Sequence, residues 1–142
     1  MTTPETWQPA YDVEPIDLDA TLTPVDVDRY LRRLSNALAY SERELRLARA
    51  AEVDAEQEYA EAKQPYLLDP ECPDPTRSGV SQKTQEAWLG ARVPEQYWAY
   101  RRAKVVRMNA QDHAKRLDGQ VRCIQSINSL VKQMYNLEGR HG

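Results

Sequence analysis

From Leu31 to Ala62 the chain returns to one helical face at alternating steps of three and four residues. Positions 31, 34, 38, 41, 45, 48, 52, 55, 59 and 62 read Leu, Leu, Leu, Ser, Leu, Ala, Glu, Ala, Tyr and Ala. That is a heptad seam. It is strong at Leu31, Leu34, Leu38 and Leu45 and thins later, where alanines permit close approach. Its start is marked. Thr23 suits an N-cap, Pro24 the first helical position, and Asp26 the third, close to a capping box.

The spacing predicts a helix over about 24–63. The segment QPYLLDPECPDP that follows holds four prolines and reads as a loop. SQKTQEAWLG predicts a short helix over about 81–89, with Ser81 capping it and Gly90 stopping it. A second long helix opens at Pro94 and runs to about Leu137, ahead of Gly139. Its seam is Ala99, Ala103, Val106, Ala110, His113, Leu117, Gln120, Ile124, Ile127, Val131 and Met134. Each long helix spans about 60 Å. The connection of about 30 residues lets the two fold back antiparallel.

The expected fold is therefore all-α: a long antiparallel helical hairpin over 24–142, with a short extra helix in its connection. Two such helices bury too little apolar area for a stable monomer, so a homo-oligomer is expected. His113, Gln120 and Asn128 fall on or near the buried stripe, where polar groups fix register and oligomer state. Residues 1–23 hold Pro4, Pro9 and Pro15 and no helical period. They read as an acidic extended or disordered arm, with Trp7, Tyr11, Ile16 and Leu18 as candidates to dock a partner.

The chain has no Phe and only five Gly, a composition that favours long helices over a thick core. No apolar run approaches the roughly 20 residues that cross a bilayer, and no basic-then-apolar leader opens the chain. Cys72 and Cys123 have neither CxxC spacing nor zinc partners. They read as unpaired thiols in a reducing cytoplasm. No phosphate-binding loop, nucleophile elbow, zinc-protease or dinucleotide motif occurs, and only two histidines are present. The expectation is a protein that is not an enzyme and needs no cofactor or metal.

Charge is the more informative property. The net charge is −3, but residues 1–28 carry seven acids and no base. The rest carries 15 acids against all 19 bases. The cations gather at the end of the predicted hairpin that holds the arm. There Arg29, Arg32, Arg33, Arg43, Arg46 and Arg49 meet Lys115, Arg116, Arg122 and Lys132, ten cations against Glu42, Glu44 and Asp118. Such a field suits a polyanion. The arm emerges beside it, and the charges predict that it folds over this end and competes with the polyanion.

A second candidate strip is EQYWAYRRAKVVR, residues 95–107. On a helical wheel Tyr97, Tyr100, Lys104 and Arg107 share one side with Gln111, Lys115 and Arg122, roughly opposite the seam. Rings and cations on one outward strip suit single-stranded nucleic acid. Trp98 and Arg102 read as packing. The competing reading is a charge match: these cations answer Glu52, Asp54, Glu56, Glu58 and Glu61 of the first helix.

The order of elements resembles the phage UvsY-like recombination mediators. The resemblance rests on YLRRLSNALAYSERELRLARAAEVDAEQEYAEAK, on QKTQEAWL, and on VPEQYWAYRRAKVVRMNAQDHAKRLDGQVRCIQSINSLV, together about residues 24–137. It implies an oligomer that binds single-stranded DNA and helps load a recombinase onto DNA coated by single-strand-binding protein. One departure matters. The family's basic DNA-binding residues lie near the end of the first long helix, where this chain reads EVDAEQEYAEAKQP and is acidic. The site does not transfer, so the candidates are those that charge identifies: Arg29, Arg32, Arg33, Arg43, Lys104, Arg107, Lys115, Arg116 and Arg122. The alternative is a helical adaptor or assembly factor that binds only protein.

Overall fold

The computed structural model describes residues 7–141, with side chains through Gly139. The first six residues of the arm lie outside the described residues. Three helices account for most of what is described: α1 (Pro24–Leu67), α2 (Gln82–Arg92) and α3 (Pro94–His141). No strand occurs among the described residues.

The caps follow the local chemistry. Thr23 Oγ1 accepts from the Asp26 N–H at 3.2 Å, and Asp26 Oδ2 takes the Thr23 hydroxyl at 2.8 Å and the Thr23 N–H at 3.2 Å. This is a reciprocal capping box. Those hydrogen bonds from Thr23 hold the Asp26 carboxyl below its usual range. Ser81 caps α2 by accepting from the Thr84 N–H at 3.2 Å.

Two helix ends differ from the sequence reading. α1 continues through Pro65 to Leu67. Pro65 stands two residues from the helix end and gives up the one hydrogen bond its missing N–H would make. α2 does not stop at Gly90 but runs to Arg92, with Val93 as its C-cap. Gly90 serves close approach instead. It is buried, and a Cβ added there would lie 3.0 Å from the Tyr97 ring.

The chain divides into two units. One is built from Leu47–Met108 and centres on Tyr59, which is buried. The Tyr59 ring lies 5.9 Å from that of Tyr100 and 5.8 Å from that of Tyr97. Its hydroxyl donates to Glu86 Oε2 at 3.2 Å, and Lys63 Nζ sits over the ring at 4.5 Å. Leu89 and Val93 are buried in the same unit. Residues 52 and 59 of α1 meet residues 107 and 100 of α3, so the two helices run antiparallel here.

The wheel places Tyr97 and Tyr100 outward, but both are half-buried, as is Arg102, while Trp98 is 55% exposed. The reason is chiefly α1: Tyr59 takes the Tyr97 and Tyr100 rings, so this side of α3 faces the first helix, and Gly90 of α2 packs on Tyr97 as well. Arg107 is drawn in as well, onto Glu52 at 2.6 Å.

The other unit joins Gln8–Arg46 to the chain from Asn109 onward. Its core is Val27, Leu34 and Ala37 of α1 with Leu117 and Ile124 of α3. Leu31, Leu38, Ile127 and Val131 pack against it. So do Val13, Ile16 and Leu22 of the arm. Seam position Ser41 is buried and satisfies its hydroxyl on the Leu38 carbonyl at 2.8 Å. Asp28 takes the Asn128 amide at 3.0 Å and Lys132 at 3.7 Å, so α1 and α3 run antiparallel in this unit too.

Candidate nucleic-acid interface

The cationic surface is built on this second unit, and its first component is one face of α1. Arg29, Arg33, Asn36, Tyr40 and Arg43 follow one another at steps of four, three, four and three. That spacing lines them along one side of a helix. All five are exposed, Tyr40 by 48%. Arg32 lines an adjoining open cleft with Asp28, Leu31 and Ser35. Among the described residues Arg29, Arg32, Arg33 and Arg43 form no ion pair. Carboxylates line the same clefts, Asp28 with Arg32, Asp12 and Glu14 with Arg33, and Asp17 and Asp26 with Arg29.

The second component is the arm, which lies along this face in the opposite direction. The Ala10 N–H donates to Glu44 Oε1 at 2.8 Å. The Tyr11 ring stacks on that of Tyr40, with centroids 4.3 Å apart and planes 6° from parallel. The Tyr30 hydroxyl donates to the Glu14 carbonyl at 2.7 Å, and burial pushes its pKa above the usual tyrosine value. Two open clefts flank the contact. One of about 540 Å³ is lined by residues 11–14 with Arg33, Asn36 and Tyr40. A smaller one, about 350 Å³, has Ile16, Asp17 and Leu22 against Arg29, Tyr30 and Arg33.

α3 supplies the third component. Arg116 Nη2 lies 3.8 Å from Asp12 Oδ2 and 2.8 Å from His113 Nδ1. A guanidinium only donates, so Nδ1 accepts and the ring carries its proton on Nε2. Nε2 then donates to the Tyr11 carbonyl at 3.1 Å. His113 is thus buried and holds the arm. Lys115 is exposed and forms no ion pair among the described residues, while Arg122 pairs with Asp118 one turn away at 3.0 Å.

The arm shifts the balance of charge. From residue 24 to 46 and from 109 to 142 the sequence holds ten bases and seven acids. Asp12, Glu14, Asp17 and Asp19 of the arm add four acids and no base, turning a surplus of three positive charges into a deficit of one.

The remaining candidates fall elsewhere. Lys104 is exposed and Arg107 is engaged with Glu52, both in the Leu47–Met108 unit. Leu45 and Val106 are half-buried. Of the arm residues, Trp7 and Ile16 are half-buried, Tyr11 stacks on Tyr40, and Leu18 is 63% exposed. Tyr40 and Asn36 are absent from the sequence-derived site. The signal that would have found them is their place in the Arg29–Arg43 spacing.

No helix among the described residues is long and apolar enough to cross a membrane. Comparison with protein-family models, with curated proteins and with solved structures finds no match to this chain.

Proposed function

We propose that this protein is a non-enzymatic accessory of DNA recombination or replication, one that binds single-stranded DNA and helps load a recombinase. The observation that carries the reading is the exposed stripe Arg29–Arg33–Asn36–Tyr40–Arg43, whose arginines form no ion pair among the described residues. It combines cations that neutralise phosphates with a ring on which a base stacks. Lys115, Arg116 and Arg122 extend the same charge. Contacts with a recombinase or a single-strand-binding protein follow from the resemblance to UvsY-like mediators, and so do a phage origin and action in the host cytoplasm. The two long helices form one antiparallel hairpin in this reading, and hairpins assemble into a homo-oligomer. Leu130, Met134 and Leu137 support assembly, being 61%, 60% and 55% exposed on one side of α3.

A second reading keeps the oligomer and removes the DNA. That apolar stripe and the overall charge of −3 also suit an adaptor that binds only protein. Replacing Arg32, Arg33, Arg116 and Arg122 by glutamine separates the two. Under the first reading the variant loses single-strand binding while its helicity and assembly stay intact. Retention of full binding would overturn it.

A further inference from the structure

The arm does not merely cover the cationic stripe. It presents, in order, an aromatic ring and an anion to groups that would otherwise receive a base and a phosphate. The Tyr11 ring lies flat on exposed Tyr40, at 4.3 Å and 6°. The next residue, Asp12, sets its carboxylate 3.8 Å from Arg116. His113 donates to the Tyr11 carbonyl at 3.1 Å and is itself held by Arg116 at 2.8 Å. Arg33 and Asn36 line the cleft beside this pair.

We infer that Tyr40, Arg33, Asn36, His113 and Arg116 form a nucleotide site for a single strand, and that Tyr11-Asp12 occupies it as a built-in mimic. The inference rests on the single-strand reading above and adds the site and its regulation. Several features of the contact fit displacement. Both rings are about half exposed, 49% for Tyr11 and 48% for Tyr40. Asp12 and Arg116 are each more than half exposed in their side chains, so solvent screens their attraction. The parts that anchor the arm are different residues: Val13, Ile16 and Leu22 on the core, and the Tyr30 hydroxyl on the Glu14 carbonyl. The mimic can therefore lift while residues 13–22 stay seated.

An internal competitor lowers apparent affinity by the fraction of molecules in which it is displaced. Deleting the arm is a poor test, because Val13, Ile16 and Leu22 would be stripped from the core. The informative variant changes only the mimic: Tyr11→Ala with Asp12→Asn. A fluorescein-labelled oligothymidine is titrated at low salt with the full chain, with this double variant, and with the double variant also carrying Tyr40→Ala. Circular dichroism and sedimentation check that all three are folded and equally assembled.

The expected result is a gain in affinity of about tenfold for the double variant, largely lost again when Tyr40 is removed. Equal affinity of the full chain and the double variant would overturn the mimic while leaving single-strand binding in place. A gain that persists without Tyr40 would overturn the stacking site. Absence of binding by all three would overturn the mimic together with the reading it rests on.

Discussion

Arg107 of α3 holds Glu52 of α1 through two contacts, Nε to Oε2 at 2.6 Å and Nη2 to Oε1 at 3.5 Å. Both side chains are mostly covered, at 24% and 17% exposure. The hydrogen bond it donates to Glu52 raises the basicity of the guanidinium further. The competing reading of the 95–107 strip, in which its cations answer the acids of the first helix, holds for this pair.

Breaking the Arg107–Glu52 pair should cost stability and spare DNA binding. Glu52→Gln and Arg107→Gln each lower Tm, because each breaks a partly covered charge-assisted hydrogen bond. The double variant loses less than the two single losses together. Thermal unfolding of the four proteins measures the coupling. Strictly additive losses would show that the pair is idle.

Tyr59 makes the first unit sensitive to alkali. Burial, reinforced by the neighbouring Glu86 carboxylate, pushes its pKa from 10.0 up to about 12. The folded chain therefore keeps its proton more tightly than the unfolded chain does. The stabilisation is complete below pH about 10 and is lost as pH rises toward about 12. Absorbance titration near the tyrosinate band should show a step near pH 12, and Tyr59→Phe should remove it. An unchanged titration in the variant would place the late step elsewhere.

Two glycines should respond to alanine with opposite signs. Gly119 lies inside α3 with nothing within 4 Å of a new Cβ, so Gly119→Ala should stabilise by about 0.5–1 kcal/mol. At Gly90 the new Cβ would meet the Tyr97 ring at 3.0 to 3.2 Å. That ring has little room to yield, with Tyr59 at 5.8 Å and Trp98 edge-on at 5.2 Å. Gly90→Ala should therefore destabilise, despite alanine's better helix propensity. Denaturant unfolding of both variants decides it, and a gain at Gly90 would mean the ring moves freely.

Much of the architecture is visible in the sequence because it is local. The Thr23–Asp26 box, the Ser81 cap and the leucine seam each depend on residues within a turn or two of one another. The departures come from contacts distant in sequence. Gly90 resembles a helix stop until Tyr97 is seen against it. Tyr97 and Tyr100 look outward on the wheel until Tyr59 of α1 is seen against both rings and Gly90 of α2 against Tyr97. The candidate site divides the same way. The cations of α1 and α3 stand out by charge alone. Tyr40 gains meaning only from Tyr11, 29 positions away, stacked on its ring. The hold of Arg116 and His113 on the arm likewise joins residues about 100 apart, beyond any periodicity.

Binding of single-stranded DNA by the stripe around Arg33 and Tyr40 is best read by fluorescence anisotropy of a labelled oligonucleotide, single- and double-stranded, titrated with the full chain across a range of salt. The full chain should prefer the single strand, with an affinity that falls with salt. The logarithmic slope should be about −3, as for four or five neutralised phosphates. Absence of salt-sensitive binding to either form at low salt, by protein shown to be folded and assembled, would contradict it and favour the protein-only adaptor.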